Sequence, residues 1–258
     1  HTVSDVEIRL RAVDGVIAIN TFTGNLHGGE LDLTATFNGK HNTASLVTAG
    51  TLAGLDIANA LAAMESEPLF TGGASLDWKL DGKGRTSNEL LTALSGPINL
   101  STAQPMLKGM SVEHMLCQAV ALVNQEALST TFPTDTRFTA LGAALKLGDG
   151  KVNLSPLNAD LAQVRLTGTG VLDLFSGDFK TTFKAKLSPE LEELDKACRV
   201  SKRLVAIDWP VKCKGNTSED PAKWCGVDTQ EIIEDLAKNE AQRTIEKEAG
   251  KLLDKFFK

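Results

Sequence analysis

Tyrosine is absent from this chain of 258 residues, and aromatic residues make up only 5% of it. A carbohydrate or nucleobase site built on stacked rings is therefore not expected. Long apolar runs are missing too; none approaches the roughly eighteen residues that a bilayer span requires. Positive charge is not in excess. The net charge is -6, with acids and bases interspersed, whereas a nucleic-acid surface needs clustered Lys and Arg for phosphate contacts. Catalytic signatures are absent as well: no Gly-x-Ser-x-Gly elbow, Ser-x-x-Lys or P-loop spacing occurs. With no nucleophile–base pair visible, neither an enzyme nor a cofactor is expected. The four histidines, His1, His27, His41 and His114, lack the His-x-x-x-His or Cys-x-x-Cys context of a metal site. No signal peptide is present, and the chain begins with His1, not Met. It reads as a fragment or mature form whose targeting segment is missing.

Four cysteines are present: Cys117, Cys198, Cys213 and Cys225. Zinc sites favour cysteines two to four residues apart, or matched histidines. Cys213 and Cys225 are further apart than that, and no histidine follows His114. The redox spacing Cys-x-x-Cys is absent. An even count without metal spacing fits disulfides in an oxidising compartment, with unpaired buried thiols as the other reading. Four cysteines allow three pairings. Proximity favours Cys213 with Cys225, which leaves Cys117 for Cys198.

Hydrophobic residues make up 42% of the chain, enough for one large core. Alternation dominates as far as about Leu187. "DVEIRLRAV" sets Val6, Ile8 and Leu10 against Asp5, Glu7, Arg9 and Arg11. "ELDLTATF" sets Leu31, Leu33 and Phe37 against Glu30, Asp32, Thr34 and Thr36. "ASLDWKLD" sets Leu76, Trp78 and Leu80 against Asp77, Lys79 and Asp81. "DFKTTFKAKL" sets Phe179 and Phe183 against Lys180, Thr182 and Lys184. A period of two marks strands with one dry and one wet face, which belong to antiparallel sheets. Asp14-Gly15, Asn38-Gly39, Asp81-Gly82 and Asp149-Gly150 read as hairpin turns between them. "GKGRTS" from Gly82 likewise reads as a polar turn. Short helices are expected after caps at Asp56, Ser87 and Ser111. Asp228 with Glu231 resembles a capping box opening a helix from about Thr229 to Phe256. Its stripe of Leu236, Ile245, Ala249, Leu252 and Phe256 is expected to pack on the protein. A weak internal echo relates "TLAGLDIANAL" to "MLKGMSVEHML", and the segment from Gly15 to the one from Gly150. The division expected is 1–200 for the β region and 201–258 for a cysteine-clipped loop and terminal helix.

Ten or so strands at ~4.8 Å each make a sheet roughly 50 Å wide. Three short helices cannot cover its apolar face. Patterning alone leaves two solutions. The sheet folds on itself as a sandwich, or it curls into a trough whose apolar wall has a use.

Three segments carry a resemblance to a known family. "LLTALSGPINLS" resembles the Leu-x-x-Leu-x-Gly segment of the AsmA family of Gram-negative envelope proteins. "MLKGMSVEHML" resembles its glycine-led entry into a helix, with Met110 and Ser111 where Ile-Asp is more usual. "CKGNTSEDPAKWCGVD" resembles the two-cysteine clip before its terminal helix. The resemblance extends from about Gly15 to Lys255. It implies a mainly β fold, in which a long curved antiparallel sheet forms an apolar groove beside short helices and a C-terminal helix. It implies a periplasmic location, held to the inner membrane by an N-terminal anchor missing here. It further implies likeness to bridge-like lipid transfer proteins, with phospholipid acyl chains as the bound partner. The groove lining is then Val6, Ile8, Leu10, Leu31, Leu33, Phe37, Leu76, Trp78, Leu80, Phe179 and Phe183. An outer-membrane or periplasmic protein partner is also implied. The alternative function is an outer-membrane assembly factor acting by strand addition at the sheet edge.

Overall fold

The computed structural model describes residues 2–238. The alternating segments form strands β1 (Val3–Val13), β2 (Val16–Leu26), β3 (Gly29–Asn38), β4 (Ala44–Asp56), β5 (Phe70–Gly84) and β6 (Gly96–Leu107). They continue as β7 (Thr136–Arg137), β8 (Ala140–Gly148), β9 (Lys151–Asp160), β10 (Val164–Asp173), β11 (Asp178–Leu187), β12 (Trp209–Asn216) and β13 (Cys225–Val227). All thirteen belong to one open antiparallel sheet. Strand order follows chain order, except that β7 pairs with β6 off the main path. The sheet runs past residue 200 without a break, because β12 pairs with β11 over Ala185–Trp209 to Asp178–Asn216.

Successive connections emerge at alternate rims of the sheet. One rim carries tight turns, including those between β1 and β2, β8 and β9, and β10 and β11. Asp14 and Gly15 (φ 47° and 73°), like Asp149 and Gly150 (52° and 68°), both adopt the positive φ that such turns need. The opposite rim carries longer crossings. Here lie α1 (Ile57–Ala62), between β4 and β5, and α3 (Val112–Asn124), after β6. The echo noted in the sequence is a shared strand-to-helix entry: Gly54 and Gly109 both have φ 74°, and Asp56 and Ser111 then cap the helices.

Two expectations are corrected. Asp81-Gly82 is not a turn, and "GKG" is not a polar loop: β5 runs through to Gly84. A Cβ at Gly82 would lie 3.0 Å from the Leu94 backbone nitrogen, so these glycines admit α2 (Ser87–Thr92) against the strand. The α2 cap is Thr86, not Ser87. Its hydroxyl accepts from the Glu89 N–H at 3.2 Å, while the Glu89 carboxylate accepts from the Arg85 N–H at 2.8 Å.

The buried core lies at one end. Helix α3 covers the lower halves of β9–β12, burying Leu116 and Val120 against Val164, Leu166, Ala185 and Trp209. Cys117 bonds to Cys198 across this cover, and Cys213 bonds to Cys225 between β12 and β13. Asp195, only 4% exposed, joins two long segments that have few strand bonds of their own. It accepts from the Ser129 and Thr130 N–H groups at 2.7 Å each, and from the Ala197 N–H at 2.9 Å. These bonds, led by the one from Ala197, hold its carboxyl far below the ordinary aspartate range. The helix at 229–238 buries Ile232 in the same core, with Leu236 packed beside it. The rest of the expected stripe, from Ile245 on, lies outside the described residues.

The Cys117–Cys198 bond closes a loop with a sequence separation of 81. Its removal by C117S/C198S is expected to cost about 4.5 kcal/mol in the loop-entropy model, seen as a melting point lowered by about 10 °C. Asp195 has a depressed native pKa, so its stabilisation is complete above the unfolded value of about 3.9 and is lost as pH falls below it. Asp195→Asn is expected to melt lower at pH 7 and to show a weaker loss of stability below pH 4. Melting curves over pH 2 to 7 (roughly the window set by) check both.

Candidate functional site: an open apolar wall

Residues directly opposite in an antiparallel pair project to the same face. One rung can therefore be followed across the sheet. It runs Ile8, Phe22, Leu33, Gly50, Trp78 and Ile98 from β1 to β6. It continues through Leu145, Leu154, Gly170, Thr181, Cys213 and Cys225 to β13. The neighbouring rung passes through Leu31, Leu52, Leu76, Leu100, Ala143 and Leu157. It ends with Gly168, Phe183, Val211 and Val227. Neither rung contains a charged residue. On the opposite face, the adjacent rung reads Glu7, Thr23, Asp32, Thr51, Asp77 and Asn99. The result is an uncharged wall on a polar backing.

The residues singled out in the sequence all take positions on this wall. Leu31, Leu33, Leu76, Trp78 and Phe183 lie in the two rungs above. Leu10, Phe37, Leu80 and Phe179 lie in the flanking ones. Val6 has no direct partner, but it faces Gly24 on the wall side, where a Cβ would sit 3.5 Å from its methyl. The wall also contains residues that the reading missed on β2, β4, β6, β8 and β9. These strands alternate less cleanly, because Thr48, Gly50 and Ala144 blur the contrast between faces.

The covering differs along the wall. At the β1 end, Val6, Ile8 and Leu10 remain 49%, 46% and 55% exposed, whereas Leu166 under α3 is 5% exposed. A sandwich would bury both groups alike. The sandwich solution is therefore excluded: the apolar face is open at β1 and half-buried over most of β2–β5, with Leu52 on β4 down to 7% exposed. Two glycines keep it smooth. A Cβ at Gly50 would lie 2.6 Å from the Trp78 ring and 2.7 Å from Leu33, and one at Gly168 would strike the Phe183 ring. Aromatic rings thus lie across backbone on the neighbouring strand. The Trp78 indole donates to the Thr48 hydroxyl at 3.3 Å, on the wall itself.

The α3 cover occupies only the lower part of the wall. Above it, Leu147, Val152, Leu172 and Phe179 form a half-buried rung that stays open. This lane ends where Trp224 meets Phe179 edge-on, ring centres 5.1 Å apart. The Trp224 Nε1 is the buried side-chain polar atom that finds no hydrogen-bond partner among the described residues. At the β1–β3 end of the sheet, Val13, Ile17 and Phe37 border a hollow of about 440 Å³.

Ionic contacts sit on the backing instead. Lys186 and Lys184 hold Asp208 below its usual range, the Lys186 hydrogen bond contributing most. Asp228 and then Glu231 raise the Lys212 ammonium. His114 stacks on Phe132 with ring centres 5.0 Å apart. Among the described residues, no group of three or more His, Cys, Asp or Glu side chains is placed to hold a metal ion. No described helix is long and apolar enough to cross a membrane.

The arrangement is an open antiparallel sheet that presents one continuous apolar wall. The family model described as the AsmA family matches residues 2–157, and the chain belongs to that family. Protein AsmA of Escherichia coli strain K12 is 23% identical over 185 residues, which cover 71% of this chain and 30% of that protein. The chain thus spans about a third of the length of the curated relative it matches. No solved structure matches. The family match covers β1 to most of β9, which includes the open part of the wall.

The contrast in covering has a direct consequence. Leu33→Asp places its charge on an open wall where water can reach it, and the variant is expected to fold. Leu166→Asp buries a charge under α3, at a cost of several kcal/mol, and is expected not to fold. Circular dichroism with thermal melting distinguishes the two, and equal loss of structure in both would refute an open wall.

Proposed function

We propose that this chain is the periplasmic part of an inner-membrane-anchored AsmA-family protein that conducts phospholipid between inner and outer membranes. The observation that carries the reading is one uncharged rung crossing the sheet from β1 to β13, with a second beside it from β3, on a face that α3 leaves uncovered over most of β1–β5. A soluble protein does not keep so extended an apolar face bare without an occupant. Acyl chains lie along the wall, and headgroups stay at the wet rim. Each methylene withdrawn from water contributes about 0.8 kcal/mol, so two long tails make a strong ligand without any specific pocket. No residue performs chemistry in this mechanism. The two disulfides fit an oxidising compartment such as the periplasm, and the family supports a role in the cell envelope.

Native mass spectrometry of the purified chain, followed by lipid extraction, is expected to find stoichiometric phospholipid. Leu33→Asp and Leu80→Asp put a charge where the tails would pass, and both should lose that lipid while remaining folded. Wild-type protein free of lipid after exposure to detergent-solubilised phospholipid would refute conduction. In that outcome the sheet edge becomes the place to look for function.

A further inference from the structure

The turn between β10 and β11 departs from the polar character of the rim. It presents Leu174 and Phe175 side by side, 52% and 73% exposed. Elsewhere among the described residues, exposed large apolar residues near the connections are single side chains, such as Met64 just after α1, Leu91 on α2 and Leu122 on α3. Among the described residues, only this tip pairs an exposed aliphatic with an exposed aromatic side chain at the end of a tight turn.

The backbone N–H groups of the tip are all used. The Leu174 N–H donates to the Gly150 carbonyl at 2.9 Å. The Phe175 and Ser176 N–H groups both donate to the Asp173 carboxylate at 3.0 Å. The Gly177 N–H donates to the Asp173 carbonyl at 2.9 Å, and the Asp178 N–H to the Ser176 hydroxyl at 3.2 Å. The Phe175 ring also lies against Gly150, so it spans the tips of two adjacent hairpins. Asp173 is kept ionised by these bonds, with that from Ser176 foremost, and Lys151 opposes its charge.

This combination selects among partners. A protein strand binds an edge through free backbone groups, and residues 174–178 have no N–H to spare. A bilayer accepts apolar side chains but penalises every unpaired backbone N–H, and here none is left unpaired. The tip also adjoins the open lane. Leu172, two residues before Leu174, and Val152, two after Gly150, stand opposite each other in its upper rung.

We infer that the β10–β11 tip is a bilayer-contact element. Leu174 and Phe175 dip into the interface of a leaflet and bring the upper lane of the wall to the lipid surface. This rests on the conduction reading, for which it supplies the place where tails pass between leaflet and wall.

Flotation of the full chain with phosphatidylethanolamine–phosphatidylglycerol vesicles tests it. The double variant L174S/F175S should lose roughly tenfold or more in vesicle partitioning, as expected for two large apolar side chains. No side chain that it removes makes a hydrogen bond, so its circular dichroism should match wild type. Phe175→Trp should retain partitioning and show indole emission quenched by lipids brominated on the acyl chain. Unchanged partitioning of the double variant, or an unquenched Phe175→Trp, would overturn the inference. Loading from detergent-solubilised phospholipid separates the two proposals. The double variant should load normally, whereas failure of the wild type to load would count against conduction along the wall and leave the vesicle result to judge the tip.

Discussion

Everything in this protein depends on side-chain register being kept from strand to strand. A strand that slips by one residue turns its apolar set to the wet face, and a single slip anywhere would cut both rungs. Hairpins with positive-φ turn residues fix the register locally. The bulges then correct it. Between β2 and β3 the pairing shifts from Ile19–Ala35 to Phe22–Leu33, so β2 carries one extra residue. The same occurs in β4 between Leu52 and Leu55, and in β9 between Leu154 and Leu157. Each bulge coincides with a change of phase in the hydrophobic pattern: Ile17 and Ile19 give way to Phe22, and Val152 and Leu154 to Leu157. The bulge keeps both halves of the strand on the wall, and it bends and twists the sheet as it does so.

That relation explains what the sequence made legible. Where alternation is unbroken, as in β1, β3, β5 and β11, the wall residues could be read directly, and the structure places them on one face. Strands with a bulge in mid-strand read as irregular, so Phe22, Leu52 and Leu157 escaped notice although they are as much part of the wall; the bulge of β1 lies at its start, between Ser4 and Glu7, and leaves the run from Val6 unbroken. A change of phase within one apolar run was the available signal. Asp81-Gly82 failed for a different reason. Its composition is that of a turn, but Gly82 and Gly84 are small because α2 packs on their backbone, a tertiary demand that local propensity does not encode. Patterning also could not choose between sandwich and trough. It records which face is dry in sequence terms, not what covers it. Only the exposure of Ile8 beside the burial of Leu166 separates them.

The two ends of the sheet obey different physics. Over β9–β12, Leu, Val and Trp side chains interlock with α3 and make a conventional core, and substitutions there meet close packing. The segments that complete this cover, 125–135 and 188–208, contain little regular strand. They are held instead by discrete links: a disulfide, the buried Asp195 and the Asn124 side chain, which donates to the Ala197 and Arg199 carbonyls at 3.1 and 3.0 Å. Over β1–β5 most of the same residue types are only half-buried, and stability there comes largely from ladder hydrogen bonds and cross-strand pairs. Leucine thus has two roles in one sheet, and neighbours rather than identity decide which applies.

An open wall of this kind discriminates weakly by itself. Its surface is made of Leu, Ile, Ala and Gly, and its aromatic rings lie across glycines instead of framing a cleft. Contact with it depends on the area of hydrocarbon presented, so on the proposed reading any long acyl chain would satisfy it about equally. Selectivity must then come from the few places where polarity meets the wall. The described residues offer two near the β11 end. One is Trp224, whose buried indole N–H is unpaired beside Phe179. The other is the rim, where the Asp173 and Asp149 turns border the upper lane. Both lie beyond the stretch where the wall is widest and least covered. On the conduction proposal, a ligand held by area alone would meet few fixed polar groups along β1–β6, the Thr48 hydroxyl held by Trp78 among them, before it reached Trp224. On the same proposal, weak discrimination along the wall and polar contacts at its end are what transit, as opposed to storage, requires of such a surface.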